Sequence, residues 1–253
     1  MYFDSHAHYD DVQFDRDRDF LLRRLPSLGV DCVINAGSDI ESSKKSIALA
    51  DEYDYIYAAV GVHPHEAEGL TDGCISELEE LAKNRKAVAI GETGLDYYYD
   101  HSPRSLQRKW FSAQLDLAVK LGLPVVVHMR EAAADTMEII KKSNARRGII
   151  HCYSGSKEMA LEYAEIGFYI GIGGSVTFDK AKKIIETADA LPLEKILIET
   201  DAPYMSPVPK RGLRNDSTNL FHIVNKIAEI KKTTPESVAS AASANARALF
   251  KII

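Results

Sequence analysis

Eight short apolar runs alternate with longer amphipathic stretches, and this alternation constrains the fold more than any other feature of the chain. The runs are rich in Val, Ile and Tyr and lack regular polar alternation, which is typical of parallel strands buried on both faces. The predicted strands are 2–6, 30–36, 55–63, 87–92, 123–128, 148–152, 167–174 and 195–201.

The stretches between these runs carry helical spacing of apolar residues. The predicted helices are 15–28, 103–121, 132–143, 157–166, 178–190, 217–232 and one near 235–250. In the first of them, one apolar face is expected to consist of Phe20, Leu21, Leu25 and Leu28. Two others carry end signals, because Pro103 favours a first turn and Thr234 precedes a proline at a helix start.

Eight strand candidates, each followed by a helix, predict an α/β fold with parallel strands. Because the eight units look alike and 253 residues suit one (β/α)8 TIM barrel, a closed barrel is preferred to an open sheet. No linker or low-complexity stretch interrupts the pattern, so residues 1–253 are predicted to form a single domain.

Charge and cysteine content limit the classes of partner and compartment. The formal net charge is -6, so attraction to a polyanion must come from a local patch or from bound metal. Three cysteines give no disulfide framework, which fits a reducing cytoplasm. There is no signal-peptide pattern and no apolar run of membrane length, so a cytoplasmic protein without a membrane or an obligate protein partner is predicted.

Metal-ligand residue types stand at the carboxyl ends of the predicted strands. These ends converge on one mouth of a (β/α)8 barrel, where active sites lie. His6 and His8 form an H-x-H pair at the end of strand 1, and alternate residues of a strand point to the same side. The full set of predicted metal ligands is His6, His8, Glu92, His128, His151 and Asp201.

Six ligands are too many for one catalytic ion with open positions, so they predict a binuclear site at the C-terminal mouth. Glu92 is expected to bridge the ions, with His6, His8 and Asp201 on one and His128 and His151 on the other. Imidazole and carboxylate ligands favour Zn or Mn over Ca.

The ligands lie in motifs that closely resemble the TatD-type metal-dependent deoxyribonucleases. The motifs are HAH at 6–8, GVHPHEA at 61–67, GETGLDYYYD at 91–100, HMREA at 128–132, HCYSG at 151–155 and ETDAPY at 199–204. They occur in order, and the resemblance runs from residue 3 to about residue 250.

The resemblance implies a metal-binding TIM barrel related to the amidohydrolases, with deoxyribonuclease or exonuclease activity in some members. The resemblance implies the same six metal ligands. It also implies Mg as a candidate ion, in addition to Zn and Mn. The chain departs from the family after the last ligand strand, where Ser217 replaces a usual proline in PKRGLRNDS.

Glu92 and Asp201 are the predicted catalytic residues. Two divalent ions would activate a bridging water, polarise a phosphate oxygen and stabilise charge on the attacking and leaving oxygens. Asp201 could combine metal ligation with accepting the proton of that water.

Five further residues are predicted to bind substrate: His63, His65, Arg130, Arg211 and Asn215. The two histidines could contact a phosphate or protonate the leaving group, or form a structural pair around a proline. Arg130 could bind phosphate or pair with a neighbouring acid. The loop of Arg211 and Asn215 is either a phosphate patch or a solvated loop.

Supporting roles are expected for Glu199 and Asp96, which could orient a ligand histidine. Tyr97, Tyr98, Tyr99 and Tyr204 could stack bases or fill loops. His101 and His222 are interpreted as structural or surface residues.

The leading hypothesis is a deoxyribonuclease that hydrolyses DNA phosphodiesters. An amidohydrolase-like enzyme cleaving a small amide, lactone or ester is the alternative, because the same site supports that chemistry. A non-catalytic metal-binding scaffold would lack a ligand or the carboxylate base, and none is missing here.

Overall fold

A computed structural model describes residues 1–253, and it contains eight strands and nine α-helices. The strands are β1 (Tyr2–Ala7), β2 (Val30–Ala36), β3 (Ile56–Val60), β4 (Ala87–Asp96), β5 (Val125–Arg130), β6 (Gly148–Ile150), β7 (Phe168–Ile172) and β8 (Ile196–Ile198). The helices are α1 (Arg18–Arg24), α2 (Ile40–Glu52), α3 (Asp72–Leu81), α4 (Arg104–Leu121), α5 (Ala133–Lys142), α6 (Lys157–Glu165), α7 (Lys182–Ala190), α8 (Leu220–Lys231) and α9 (Pro235–Phe250).

The eight strands form one sheet in the order β1-β2-β3-β4-β5-β6-β7-β8, so each strand neighbours the next one along the chain. Helices connect the successive strands, as parallel pairing requires. The predicted order of eight strands, each followed by a helix, is confirmed, although α2 and α3 lie outside the seven predicted helix ranges. The chain divides into two compact units, which comprise residues 1–34 with 152–253 and residues 35–151.

The first unit contains both ends of the chain. In it β7 pairs with β8 in parallel, and Ala7 at the end of β1 forms a parallel bridge with Ala202. Helix α9 packs against β1 and β8. Phe3 and Phe250 stack there, with ring centroids 6.1 Å apart and planes 12° apart.

The second unit is built on β3, β4, β5 and β6, which pair in parallel. The register of β4 shifts between Ile90 and Thr93, at the centre of its metal-ligand motif. Gly94 follows with φ +145°, and a Cβ there would lie 2.0 Å from the carbonyl oxygen of His128. Glycine is therefore required for the close approach of β4 to β5.

Helix α4 shows how local sequence sets the limits of an element. Pro103 is its N-cap, and Gly122 adopts a left-handed φ of 65° at its C-cap. Trp110, Phe111 and Leu115 cover the inner face and are buried. The predicted boundaries of 103–121 therefore hold to within one residue.

The predicted apolar face of residues 15–28 is right at Leu25 but wrong at Phe20 and Leu28. Helix α1 ends at Arg24, and Pro26 opens a separate 3-10 turn, so one continuous helical periodicity does not apply. Phe20 and Leu28 are 64% and 45% exposed, whereas Leu22 and Leu25 are fully buried. No α-helix combines the length and the apolar character that crossing a membrane would need.

Candidate metal centre

The first unit brings His6, His8 and Asp201 together. His6 lies in β1, His8 follows that strand, and Asp201 follows β8. The Nε2 atoms of the two histidines are 3.0 Å apart, and Asp201 Oδ1 lies 3.8 Å from His6 Nε2 and 3.5 Å from His8 Nε2. Three donor atoms of the predicted ligand types therefore face one point.

These separations fit a divalent transition-metal ion. Donors at about 2.1 Å from an ion lie about 3.0 Å apart at right angles and about 3.4 Å apart at tetrahedral angles. The observed 3.0 to 3.8 Å spans those values. His6 is fully buried, so its imidazole is fixed by its surroundings.

The backbone around Asp201 is held by a buried polar network. Asp201 has a φ of 57°, which is left-handed, and its N–H donates to His6 O over 3.0 Å. The preceding Thr200 donates its N–H and its hydroxyl to the carboxylate of Asp4 at 2.9 and 2.6 Å. Ser217 donates to the same carboxylate at 2.6 Å. Burial raises the pKa of Asp4 to about 6, although these hydrogen bonds oppose the rise.

The second unit brings together Glu92, His63, His128 and His151. Glu92 Oε1 lies 2.8 Å from His151 Nε2, 2.9 Å from His128 Nδ1 and 3.6 Å from His63 Nε2. His128 Nδ1 and His151 Nε2 are 3.4 Å apart. This second donor group also has separations that suit one transition-metal ion.

Two of these residues do not end their strands, contrary to the prediction. β4 continues from Glu92 to Asp96, and β5 continues from His128 to Arg130. Beyond Glu92, Gly94 pairs directly with His128 in the sheet. His63 was predicted only as a substrate residue, but its imidazole is part of the donor group.

Asp96 holds two histidines of the second unit, His128 and His65, in place. Its Oδ2 lies 3.0 Å from His128 Nε2 and 3.0 Å from His65 Nε2, and the carboxylate is fully buried. Carboxylates of this kind fix the orientation of a metal-ligating imidazole. Burial opposes ionisation, but the bonds with His128 and the backbone N–H of Tyr99 lower the pKa of Asp96 overall.

The pKa values of His63 and His128 are shifted in opposite directions. Burial lowers the pKa of His63, and the neighbouring imidazole of His128 lowers it further. Burial also opposes the protonation of His128, but the carboxylates of Asp96 and Glu92 outweigh that effect and raise its pKa. A neutral His63 keeps a lone pair for a cation.

The predicted substrate residues lie in different surroundings. The guanidinium of Arg130 lies over the rings of Tyr98 and Tyr99, and that of Arg211 lies over Phe178. Arg211 is exposed. Asn215 is fully buried, which favours a positioning role over the predicted substrate contact.

The amide of Asn215 donates to the carbonyls of Thr200 and Tyr204 at 2.8 and 2.7 Å. It therefore ties down both sides of the turn that carries Asp201. In the same unit Glu199 is buried and accepts a hydrogen bond from the backbone N–H of Cys152, the residue after His151.

Asp4 is a residue of the site that the sequence interpretation missed. Asp4 precedes His6 by two positions in β1, and that alternation is the signal that could have identified it. His101 was interpreted as structural or surface. It is exposed, and its ring lies 4.7 Å from that of His65 and 5.6 Å from that of Tyr99.

Comparison with known proteins agrees with this geometry. The sequence model of a family described as TatD related DNase matches residues 3–251. An uncharacterized metal-dependent hydrolase of Bacillus subtilis, YabD, is 39% identical over 100% of both chains. The 3'-5' ssDNA/RNA exonuclease TatD of Salmonella typhimurium is 33% identical over 99% of both chains. The crystal structure of YJJV, a TatD homologue from Escherichia coli, matches with a TM-score of 0.94 and 31% identity, covering 100% of this chain and 98% of that one.

The chain belongs to the TatD-related DNase family and is a metal-dependent hydrolase. The predicted (β/α)8 TIM-barrel fold is confirmed by the strand order and by the match to the TatD homologue. The individual ligand roles stay predictions that the two donor groups support.

Proposed function

We propose that this protein hydrolyses phosphodiester bonds of DNA with the help of two divalent cations. The two donor groups support two ions, one held by His6, His8 and Asp201 and the other by Glu92, His63, His128 and His151. That Glu92 also serves the first ion remains a prediction from the sequence. Zn, Mn and Mg are the candidate cations.

The observation that best supports a phosphate-containing substrate is the environment of Arg130. It stands two residues after His128, and its guanidinium has no carboxylate partner. Asp135, one candidate partner, is engaged by Arg108 and by the hydroxyl of Tyr97. An unpaired guanidinium beside a metal donor group suits a phosphodiester better than a neutral amide or lactone.

The activity of relatives points in the same direction. The Salmonella relative, named as a 3'-5' ssDNA/RNA exonuclease, is similar to this chain over 99% of its length. Single-stranded DNA is therefore the substrate proposed here. A single catalytic domain over residues 1–253, a cytoplasmic location and independence of a protein partner stay predictions; the free cysteines support the location.

When bound, the ions supply Lewis-acid polarisation of the phosphate and lower the pKa of a coordinated water. The chain supplies the rest of the chemistry. Asp201 offers a carboxylate oxygen at the edge of the first donor group, where it can accept a proton from the attacking water. Arg130 orients the phosphate, and His65, hydrogen-bonded to Asp96, lies beside His63 of the second group, where it can contact the substrate.

The proposal is tested with metal-reconstituted protein on 3'- and 5'-labelled single-stranded DNA, duplex DNA and a generic phosphodiester. Glu92→Ala should abolish hydrolysis, whereas the exposed Glu68→Ala in the same unit should behave like the wild type. If the wild type and Glu92→Ala do not differ on any phosphodiester, the amidohydrolase hypothesis replaces the nuclease hypothesis.

A second variant tests the proton acceptor. Asp201→Asn should retain bound metal and lose most turnover, because an amide can coordinate an ion but cannot accept the proton. Near-normal turnover at full metal occupancy would exclude that role for Asp201.

A further inference from the structure

Two large aromatic side chains stand exposed where β4 ends. Tyr98 and Tyr99 are 59% and 49% exposed. Their rings meet edge to face, with centroids 4.9 Å apart and planes at 87°. Tyr99 also lies nearly parallel to the exposed ring of His101, with planes 8° apart and centroids 5.6 Å apart. Three exposed aromatic side chains therefore cluster at one place on the second unit.

A cation accompanies the rings. The guanidinium carbon of Arg130 lies 4.2 Å from the ring centroid of Tyr98 and 4.7 Å from that of Tyr99. Stacking on rings leaves the N–H groups of a guanidinium in its own plane available for an anion. Arg130 therefore offers a positive charge that no acid of the chain neutralises.

The aromatic platform, defined as Tyr98, Tyr99 and Arg130, is held rigidly to the metal donors. Asp96 Oδ1 accepts hydrogen bonds from the backbone N–H groups of Tyr98 and Tyr99 at 3.0 and 2.9 Å. Its other oxygen contacts His128 and His65. One buried carboxylate thus positions the platform and the second donor group together.

The platform also lies close to the site itself. The ring of Tyr99 is 5.5 Å from that of His65, at 87°. His65 in turn is 4.2 Å, ring to ring, from His63 of the donor group. A ligand resting on the platform would therefore reach the donor group without spanning open solvent.

We propose that the aromatic platform binds one base and one phosphate of single-stranded nucleic acid. A base stacks on the tyrosine faces, which tolerate any base because every base has a π-face. Arg130 contacts the adjoining phosphate. This inference rests on the proposed nuclease function, since a small amide or lactone has neither group. In duplex DNA the bases are stacked on one another, so the platform favours single strands.

The test compares tyrosine variants that keep or remove the ring. Tyr98→Leu and Tyr99→Leu remove the π-face, whereas Tyr98→Phe and Tyr99→Phe retain it. The control is Tyr57→Leu, at the beginning of β3, where Lys86 lies 4.4 Å over the ring of a partly buried tyrosine. The probe is a phosphorothioate-linked single-stranded oligodeoxynucleotide carrying 2-aminopurine, whose fluorescence is quenched on stacking.

Each leucine variant should weaken binding of the probe about 10-fold and remove the quenching, as loss of one stacked base predicts. The phenylalanine variants and Tyr57→Leu should bind like the wild type. An abasic oligonucleotide should bind the wild type and the leucine variants equally. The platform is refuted if the leucine variants bind the probe normally, or if they lose the abasic ligand as strongly as the probe.

Arg130→Gln provides a second measurement. Loss of one phosphate contact should lower the slope of log Kd against log salt by about 0.7 for a single strand. An unchanged slope would remove Arg130 from the platform.

Hydrolysis is measured separately, so the two proposals fail in different ways. If the wild type cleaves no nucleic acid but quenches the probe through Tyr98 and Tyr99, the platform stands and the nuclease function fails. If it cleaves DNA while quenching does not depend on these rings, the nuclease function stands and the platform fails.

Discussion

Replacement of Asp96 by asparagine should weaken one metal site while leaving the other unchanged. The carboxylate accepts two backbone hydrogen bonds through one oxygen and contacts two histidines through the other. An asparagine at this position can keep its side-chain oxygen as the acceptor for the backbone N–H groups of Tyr98 and Tyr99. Its NH2 group then faces His128 and His65, where an acceptor is required.

The size of the effect follows from the atoms involved. His128 presents Nδ1 to Glu92 and Nε2 to Asp96. If Nδ1 binds the ion, Nε2 carries the proton and needs an acceptor, which the Asp96→Asn amide withholds. Loss of such a partner typically lowers metal affinity about 10- to 100-fold, or about 1.4 to 2.7 kcal/mol.

The assay is a competition titration of Mn²⁺ or Zn²⁺ against a fluorescent chelator, with thermal melting of the metal-free protein as a check on folding. Asp135→Asn is the matched control, because that carboxylate binds Tyr97 and Arg108 and not a metal donor. The reasoning is refuted if Asp96→Asn folds normally and binds both equivalents of metal within twofold of the wild type.

Three further predictions concern the metal and the packing of the site. Chelation should abolish hydrolysis and lower Tm by ~5–10 °C, as saturating ligands of folded proteins do, and added Mn²⁺ should restore both in a melting and activity series. Asn215→Ala should cost about 2–4 kcal/mol in urea unfolding, because the buried carbonyl of Thr200 and the part-buried carbonyl of Tyr204 lose their donor; a loss under 1 kcal/mol would contradict this. Gly94→Ala should cost about 3 kcal/mol or more, or give insoluble protein, since its Cβ would meet His128 O. The control is Gly122→Ala, whose Cβ meets no atom within 4 Å. It should unfold at a clearly higher urea concentration than Gly94→Ala.

Local patterns predicted much of the fold. The strand at residues 30–36 and the helix at 235–250 have the predicted limits, because a buried apolar run and a Thr-Pro start are signals within the sequence itself. The apolar face of residues 15–28 was only partly right, because helix α1 ends at Arg24 and Leu28 lies in a separate turn that starts at Pro26.

The sequence predicted which residues form the site, but not the hydrogen bonds that link them. His6, His8 and Asp201 do converge within their unit, as parallel topology required. The dual role of the Asp96 carboxylate was not predictable, because it depends on β4 continuing past Glu92 and on the chain folding back over it. Periodicity also cannot show that Asn215 is turned inward.

The division of the donors between the two units fixes an order in time during synthesis. All donors of the second group, from His63 to His151, have been translated once residue 151 has been added. His6 and His8 are made first but must wait for Asp201, nearly two hundred residues later. Synthesis therefore supplies every donor of the second group before His6 and His8 acquire their carboxylate.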